Sequence, residues 1–454
     1  MKMRKGICKL FLSTISCSFL FSFAENAFAD LDDAPPPEVI FCQKHFPMGY
    51  KDKLYQQCIT AYRTPSYAER QYQLGLLFLM LDLIKGRQYL TEAAQLGSAD
   101  AMYALAQSYE IDDERRLDES LVLYWYKCAA EHGHSLAQAR LAEIYYYGQG
   151  VAINHKIAFR WYYQAAHRDI PESQFGLARC YEKGEGVAQN YPKAFEWYLK
   201  SAEHGNVQAY IRLGDMFYFS EFGKQDYPQA AMWYKKAAEF GDPYAEFQYG
   251  AMLASGTGVP QNDKKAFYWL EESAQQDFTP AQSLLGRLWY ATKRKENYEK
   301  AYKWLQRASF KGDSLASLTL GKMYRQGRGV SRNFRESAYY FQKAMPGPGT
   351  TQAEALIGLS YHQGLGKPKN YRLAAMCYTK AAMQGNIMAQ FNLSTLYAQG
   401  KGVEKSLVKA YAWADIAANS GLHSAIEARR LLSYQLTYNE LDEAQKLAAR
   451  LSRN

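Results

Sequence analysis

The side chains of this sequence that could bind a metal ion are its histidines and cysteines. His132, His167 and His204 recur at spacings of 35 and 37 residues, and imidazole is a common zinc ligand. Imidazoles that occupy one point of a structural repeat stay a full repeat apart, so they do not converge on one ion. Because the Cys/His spacings of zinc sites are also absent, the sequence predicts no metal site.

Paired glycines followed by valine could instead hold a phosphate group. The pattern Gly-x-Gly-Val stands at residues 148–151, 184–187, 256–259, 327–330 and 400–403. Nucleotide-binding loops follow a strand and carry a third glycine or a Gly-Lys-Ser/Thr ending, which these segments lack. The motifs Gly-x-Ser-x-Gly and His-Glu-x-x-His are absent as well. We therefore expect no enzyme activity and no cofactor, and we interpret the glycine loops as turns.

A recurring tryptophan shows how the rest of the chain is organised. Ten positions follow one another at 36 residues, except for a step of 35 before Trp304 and a step of 37 before Cys377. They are Tyr89, Trp125, Trp161, Trp197, Trp233, Trp269, Trp304, Tyr340, Cys377 and Trp413. A fixed period of this length is typical of a solenoid. The sequence therefore predicts ten repeats.

Each repeat has the pattern of two helices. In the first, helix A, residues such as Ala137, Leu141 and Tyr145 are four apart and share one helical face. A small residue follows the leucine and lets a neighbouring helix approach closely. The glycine loop ends helix A, and a polar residue with proline, as in 190–192, opens helix B. We expect the tryptophan of helix B to fill the space between the two helices.

The order Ala…Leu-Gly…Tyr…Gly-x-Gly-Val…Lys-Ala…Trp-Tyr…Ala-Ala…Gly at this period resembles the Sel-1-like repeat, a relative of the tetratricopeptide repeat. The resemblance covers residues 66–430. It implies an all-α, right-handed α/α superhelical solenoid of about ten 36-residue helix-turn-helix repeats, and use as a protein-interaction adaptor. Some cysteine-rich members of the family are linked to β-lactam or peptidoglycan chemistry. This chain lacks their regular cysteine pairs, which argues against a β-lactamase-like activity.

In superhelices that this chain resembles, helix A lines the concave wall. Its positions on either side of the leucine and small residue, together with two tyrosines that are surplus to the packing pattern, give nine candidate partner-binding residues. They are Arg140, Glu143, Tyr146, Tyr147, Arg179, Arg212, Asp215, Arg287 and Lys322. Arginine and tyrosine are enriched in interface hot spots, and arginine binds carboxylates through two hydrogen bonds. We expect a protein or extended peptide partner; for any single residue, an ordinary solvated face is the alternative.

The two ends of the chain do not follow the repeat. Residues 1–29 predict a secretory signal peptide, with four basic residues among the first nine, an apolar stretch at 10–23 and Ala-Phe-Ala at 27–29. An uncleaved anchor is the alternative, although the apolar stretch is short for a spanning helix of about 20 residues. Residues 30–65 predict a linker and cap in which Cys42 and Cys58 could pair in an oxidising compartment. Residues 431–454 predict a capping helix.

Three segments depart from the repeat pattern. Residues 220–226 and 292–297 lack the Gly-x-Gly-Val turn, and residues 345–350 read Met-Pro-Gly-Pro-Gly-Thr. Two prolines and two glycines will not continue a helix. The Pro346–Gly349 break therefore predicts an altered turn, or alternatively a change of superhelix curvature.

The net charge and the predicted signal peptide narrow the classes of function that the sequence allows. The net charge of +9 falls to +6 without the four basic residues and the one acidic residue of the signal peptide. This is mild for such a length and argues against nucleic-acid binding. We expect an exported adaptor or scaffold of the cell envelope, periplasmic in a Gram-negative bacterium and without a transmembrane segment after cleavage. The alternatives are a secreted factor acting on a host or partner cell, and a protein that binds peptidoglycan or exopolysaccharide.

Overall fold

The protein is described by a computed structural model that covers residues 37–45, 53–64, 66–110, 119–220, 225–345, 347 and 350–452. These residues form 24 α-helices and one 3-10 helix, with no strand. The predicted signal peptide, the linker up to residue 36, and Pro346, Pro348 and Gly349 lie outside them. None of the helices in the described ranges has the length and apolar character needed to cross a bilayer.

The chain divides into two compact units, residues 1–213 and 214–454. The helices of the first unit are α1 (Pro37–His45), α2 (Lys53–Tyr62), α3 (Tyr67–Leu79), α4 (Leu83–Gln95), α5 (Ala99–Glu110), α6 (Glu119–Glu131), α7 (Ser135–Tyr147), α8 (His155–Ala166), α9 (Pro171–Lys183) and α10 (Tyr191–Glu203). Helix α11 (Val207–Tyr218) contains the boundary residues Leu213 and Gly214.

The second unit continues with the helices α12 (Tyr227–Glu239), α13 (Pro243–Ser255), α14 (Asp263–Gln275), α15 (Thr279–Ala291), α16 (Tyr298–Phe310), α17 (Ser314–Gln326), α18 (Phe334–Ala344), α19 (Thr350–Gln363), α20 (Tyr371–Met383), α21 (Ile387–Gln399), α22 (Leu407–Asn419), α23 (His423–Ser433) and α24 (Tyr438–Leu451). Helices α3 to α22 alternate as helix A and helix B of repeats 1 to 10. The predicted all-α fold of ten helix pairs is confirmed.

Capping side chains and glycines define the helix ends as the sequence pattern predicts. Asn190, at the N-cap of α10, accepts a hydrogen bond from the Lys193 backbone N–H at 3.0 Å, and Asn154 does the same for α8. Gly184 ends α9 in the left-handed conformation, where glycine has no steric penalty. These contacts fix a short turn between the two helices of each pair.

The residue after each ladder position, and not the tryptophan, fills most of the helix pairs. Tyr126, Tyr162, Tyr198, Tyr234 and Tyr378 are at most 2% exposed. The tryptophans at 125, 161, 197, 233 and 269 are only half-buried, and only Trp304 and Trp413 are buried. Successive helical residues point about 100° apart, so the second aromatic faces helix A while the tryptophan lies at the flank. The expectation that tryptophan fills this space is thus wrong for five repeats.

A buried glutamine joins helix A to the end of the helix B before it. The Nε2 atoms of Gln138, Gln174, Gln282 and Gln390 donate to backbone carbonyl oxygens eight residues earlier, at 3.1–3.3 Å. Repeat 6 has Glu246 at this position, 3% exposed, and its Oε2 accepts a hydrogen bond from Gln276 at 2.9 Å. A carboxyl group thus occupies a site built for a neutral amide.

Replacing this carboxyl group should stabilise the protein at neutral pH. Burial raises the pKa of Glu246 from 4.5 to about 7. The hydrogen bond from Gln276 lowers this pKa, whereas repulsion from Glu272 and Asp242 raises it further. Because the folded-state pKa is the higher one, the carboxyl group favours folding below pH 4.5, and this contribution is lost as the pH rises to 7. We expect Glu246→Gln to raise the free energy of unfolding by about 1–3 kcal/mol at pH 8 and little at pH 4.5.

Urea denaturation of both proteins across pH 4.5–8 measures this difference. Glu196→Gln on the exposed side of α10 is the matched control, and it should change stability equally at all pH values. A Glu246→Gln effect that does not grow with pH would contradict the assignment.

The N-terminal cap consists of α1 and α2, which a disulfide between Cys42 and Cys58 joins with 5.8 Å between their Cα atoms. Both cysteines are fully buried, and the cluster around them includes Tyr55 and Phe78. Cys128, Cys180 and Cys377 are free thiols. The cap therefore covers the apolar end of repeat 1.

Thiol counting tests this pairing. We expect the chain from Asp30, denatured without reductant, to react with three equivalents of a thiol reagent, because only Cys128, Cys180 and Cys377 are free. Closing a loop of 16 residues is worth about 3 kcal/mol in the chain-entropy account. The variant Cys42→Ser/Cys58→Ser should therefore lose about that much stability at the cap, seen as faster proteolysis before α3. Five reactive thiols in the chain from Asp30 would contradict the disulfide.

The irregular segments and the C-terminus lie in the second unit, and residues 221–224 of the first such segment lie outside the described residues. The 3-10 helix Lys295–Asn297 takes the place of the missing glycine turn before α16. Helix α18 ends at Ala344, and the Gly347 carbonyl oxygen accepts a hydrogen bond from the Thr350 N–H at 3.0 Å as α19 begins. The final helix α24 opens with a capping box formed by Thr437 and Glu440 and packs on α22 through Ala444.

Candidate interaction surface on helix A

The helix A side chains of repeats 2 and 3 form a charge network of their own. Glu110 on α5 accepts hydrogen bonds from the buried Tyr126 hydroxyl and from the Nε of Arg140, the latter at 3.1 Å. Arg140 also donates to Glu143 at 2.9 Å. Burial alone would lower the pKa of Arg140, but the two carboxylates raise it. Two of the predicted partner-binding residues are therefore paired within the protein.

Repeats 4 and 5 repeat this arrangement around Glu182. Its carboxylate accepts the Tyr198 hydroxyl at 2.5 Å and both the Nη2 and Nε of Arg212 at 2.6 and 3.1 Å. Burial would raise the pKa of Glu182, but these hydrogen bonds lower it overall. The side chains of Arg212 and Glu182 are 21% and 15% exposed. Little of this arginine remains for a partner.

Arg179 is held by aromatic rings. Its guanidinium lies 3.9 Å from the ring centroid of Tyr146 and donates to the Tyr147 hydroxyl at 2.7 Å. The Tyr146 hydroxyl in turn donates to Glu185. Tyr147 remains 53% exposed, so this cluster stabilises the contact between repeats 3 and 4 and presents one tyrosine to solvent.

Asp215 in the second unit is also engaged. Its Oδ1 accepts the hydroxyl groups of Tyr234 and Tyr244 at 2.7 and 2.9 Å. Burial is the largest cause that raises the pKa of the Tyr234 hydroxyl, and its hydrogen bond to Asp215 is the second. Asp215 thus acts as an acceptor between repeats 5 and 6.

Arg287 and Lys322 differ from the other candidates. Neither has a carboxylate within ion-pair distance among the described residues. Among the residues that the structure describes, the Nζ of Lys322 donates to the amide oxygen of Gln352, at 2.9 Å. Burial, with added repulsion from Arg287, lowers the pKa of Lys322. These two half-buried cations lie near each other without a neutralising charge.

Arg325 extends this pair and was missed from the sequence. It lies one helical turn after Lys322 on α17 and donates to the amide of Gln363 at 3.5 Å. Burial lowers its pKa. Counted from the buried leucine of helix A, Arg325 stands where repeats 2 and 4 carry Glu110 and Glu182. We call Arg287, Lys322 and Arg325 the cation row.

An open groove of about 320 Å³ lies among helix A residues of the second unit, and two of its lining leucines are neighbours of Arg287 in the chain. Helix A residues of repeats 5 to 7 line it, mainly Tyr218, Gln248, Ala251, Met252, Leu284 and Leu288. Leu284 and Leu288 flank Arg287 on α15, three positions before it and one after. We call this feature the apolar groove. On α15, the apolar side chains that line the groove are therefore sequence neighbours of the basic Arg287.

The sequence could have shown the engaged pairs but not the groove. Glu110 with Arg140 and Glu182 with Arg212 are each separated by 30 residues, as are Lys322 and Gln352. A search for opposite charges at this spacing would have separated the neutralised arginines from the others. The described residues contain no group of three His, Cys, Asp or Glu side chains suited to a metal ion.

Comparison with known proteins identifies the repeat. The Sel1 repeat profile matches ten segments: 69–98, 99–134, 135–169, 171–206, 207–242, 243–278, 279–313, 315–344, 351–386 and 387–422. The chain belongs to the Sel1-repeat family. Each matched segment contains one position of the tryptophan ladder, so the predicted family and repeat number are confirmed. A search of the curated proteins gave no match.

Two solved structures resemble this Sel1-repeat protein over most of its length. A protective antigen of uropathogenic Escherichia coli strains is 27% identical, with 88% of this chain and 94% of that chain covered and a TM-score of 0.68. A Sel1 repeat protein from Oxalobacter formigenes is 28% identical over 76% of this chain and 89% of that chain, with a TM-score of 0.38. Sel1 repeats typically mediate protein–protein interactions.

Proposed function

We propose that this Sel1-repeat protein is an exported, non-enzymatic adaptor that holds a protein partner along helix A of repeats 5 to 8. The observation that carries the proposal is the apolar groove, whose lining residues Leu284 and Leu288 flank Arg287 of the cation row. An apolar floor with a few polar groups at its edge is the usual composition of a binding cleft. The cations of repeats 3 to 5 are already occupied, which directs the partner to the second unit.

Export to the cell envelope is part of the proposal. Its supports are the signal-peptide pattern of residues 1–29 and the buried cysteine pair of the cap. The E. coli relative is described as a protective antigen of uropathogenic strains. That description favours a second candidate, a secreted factor that meets a host, over the alternative of a cell-wall polymer.

Site-specific crosslinking tests the adaptor function. A photo-reactive amino acid at Leu288, in the apolar groove, should capture a discrete protein partner in cells. The matched control is Tyr268 on helix α14, which is 55% exposed and outside the groove. Equal capture from both positions, or none from Leu288 with the folded protein present, would contradict the proposed surface.

Cell fractionation tests the compartment. We expect the chain, shortened at its N-terminus, in the periplasmic fraction, or in the medium if the host-directed candidate is right. A full-length chain in the cytosolic fraction would contradict export.

A further inference from the structure

The geometry points to the chemistry of the partner. We propose that the apolar groove and the cation row together bind an extended peptide segment in which acidic residues follow apolar ones. This inference rests on the proposed function, since it specifies the partner of the same surface. The occupant is a segment of another protein, bound along helix A from repeat 5 towards repeat 8.

The first argument is the uncompensated charge. In repeats 3 and 5, Arg140 and Arg212 at this face are neutralised by Glu110 and Glu182 of the preceding repeats. Repeat 8 reverses this pattern, because Arg325 stands at the position of those carboxylates. Half-buried cations without a counter-charge are destabilising, and a bound carboxylate would relieve this repulsion. Arg287 and Arg325 could each bind it through two hydrogen bonds.

The second argument is the order of the two features. The groove is floored by Ala251, Met252 and Leu284, while Arg287 lies between Leu284 and Leu288 on the same helix and Lys322 is on the next helix A. An occupant therefore meets an apolar floor first and cations next. An acidic polysaccharide would match the cations but would leave the leucines without apolar contacts. The apolar floor favours a peptide.

The third argument is length. Packed helices lie about 8–10 Å apart, so the path from repeat 6 to repeat 8 covers roughly 20 Å. An extended chain advances about 3.3 Å per residue. A segment of about six to eight residues therefore spans the groove and the cation row. Alternate side chains would point into the surface, which fits an apolar residue in the groove and acidic residues beyond it.

Fluorescence anisotropy with the full exported chain tests the inference. The probe, called the glutamate–leucine peptide, is a fluorescein-labelled twelve-residue peptide whose first six residues alternate leucine with serine and whose last six alternate glutamate with serine, so that one face of the extended chain carries leucines followed by glutamates. Comparison peptides replace every glutamate by lysine, or every leucine by serine. We expect the glutamate–leucine peptide to bind at least tenfold more tightly than either, and its affinity to fall as salt is raised.

Charge reversal locates the site. The variant Arg287→Glu/Lys322→Glu should weaken binding of the glutamate–leucine peptide at least tenfold. The matched control Lys264→Glu/Lys265→Glu reverses two exposed lysines on α14 and should leave binding unchanged. Circular dichroism confirms that each variant is folded, and Leu288→Gln provides a separate test of the groove because it keeps every charge.

The outcomes separate the two proposals. Equal binding of the lysine peptide, or binding that survives the reversal at Arg287 and Lys322, overturns the acidic partner. So does tighter binding of polygalacturonate than of the peptide, which would assign the cation row to a polysaccharide. Capture of a partner from Leu288 that lacks an acidic segment would leave the adaptor function standing and overturn only this inference.

Discussion

Truncating Tyr198 should destabilise the protein more than truncating the tryptophan beside it. We expect Tyr198→Ala to lower the free energy of unfolding by about 3–5 kcal/mol. The side chain is 1% exposed between α9 and α10, and its hydroxyl donates to Glu182 at 2.5 Å. Its removal leaves a cavity and takes one hydrogen bond from a carboxylate that is itself largely buried.

Trp197→Ala should cost only about 1–3 kcal/mol, although tryptophan is the larger residue. Trp197 is half-buried. It packs at 5.0 Å between ring centroids against His167 of the preceding repeat, and the Lys200 ammonium lies 4.2 Å from its ring. These contacts lie at the edge of the helix B layer, where water replaces part of what is lost.

Urea denaturation followed by circular dichroism, with hydrogen exchange of the α9 and α10 amides, gives both values. Tyr198→Phe is the control, because it removes the hydroxyl and keeps the ring. We expect a loss of about 1 kcal/mol for it. If Trp197→Ala is the more damaging substitution, the tryptophan fills the repeat after all, and our correction of the sequence-based expectation is wrong.

The helix pairs were predictable because their signals are local. Leucine and alanine at helical spacing, asparagine at the start of helix B and glycine at the end of helix A each act within a few residues. Ten copies of the pattern remove the ambiguity that any single copy would leave. The structure accordingly has α7 to α10 where the sequence places two helix pairs.

The identity of the central aromatic was not predictable from recurrence alone. Trp197 and Tyr198 recur together at the same period, so periodicity cannot tell which of them faces helix A. That choice depends on the rotation of α10 against α9. Contacts across more than 15 residues, such as that between Tyr198 and Glu182, set this rotation.

The sequence predicted the candidate site as one face of helix A. The structure divides that face into charged residues that are paired within the protein and the cation row. Arg140, Arg212 and Arg287 occupy equivalent surfaces in the sequence pattern. Only the structure shows that the first two bind carboxylates one repeat away, at a distance of 30 residues. Residue type and periodicity place a charged residue on one face of the helix. Whether that residue is available to a partner depends on which side chain the neighbouring repeat contributes.

The second glycine of each loop has a role that spans two repeats. A Cβ atom on Gly186 would overlap the carbonyl oxygen of His155, the first residue of α8 in the preceding repeat. Gly258, Gly366 and Gly402 approach the first residue of the preceding helix B in the same way. The sequence suggested only a tight turn. The close approach of two backbones is what excludes a side chain there.

We therefore expect Gly186→Ala to destabilise the protein by about 3 kcal/mol or more, and Gly184→Ala by about 1–2 kcal/mol. Both residues have positive φ, 78° and 73°, which alone costs a residue with a Cβ atom roughly 1–2 kcal/mol. A Cβ atom on Gly184 would lie 3.3 Å from the Cβ atom of Gln189, a tight contact without overlap, so this substitution adds less strain than the one at Gly186. At Gly186 the overlap forces the loop away from α8, and the added strain resembles core overpacking. Hydrogen exchange at the start of α8 should increase in Gly186→Ala and not in Gly184→Ala, because only the former separates the two repeats. Equal effects in both variants would show that the second glycine is an ordinary turn residue.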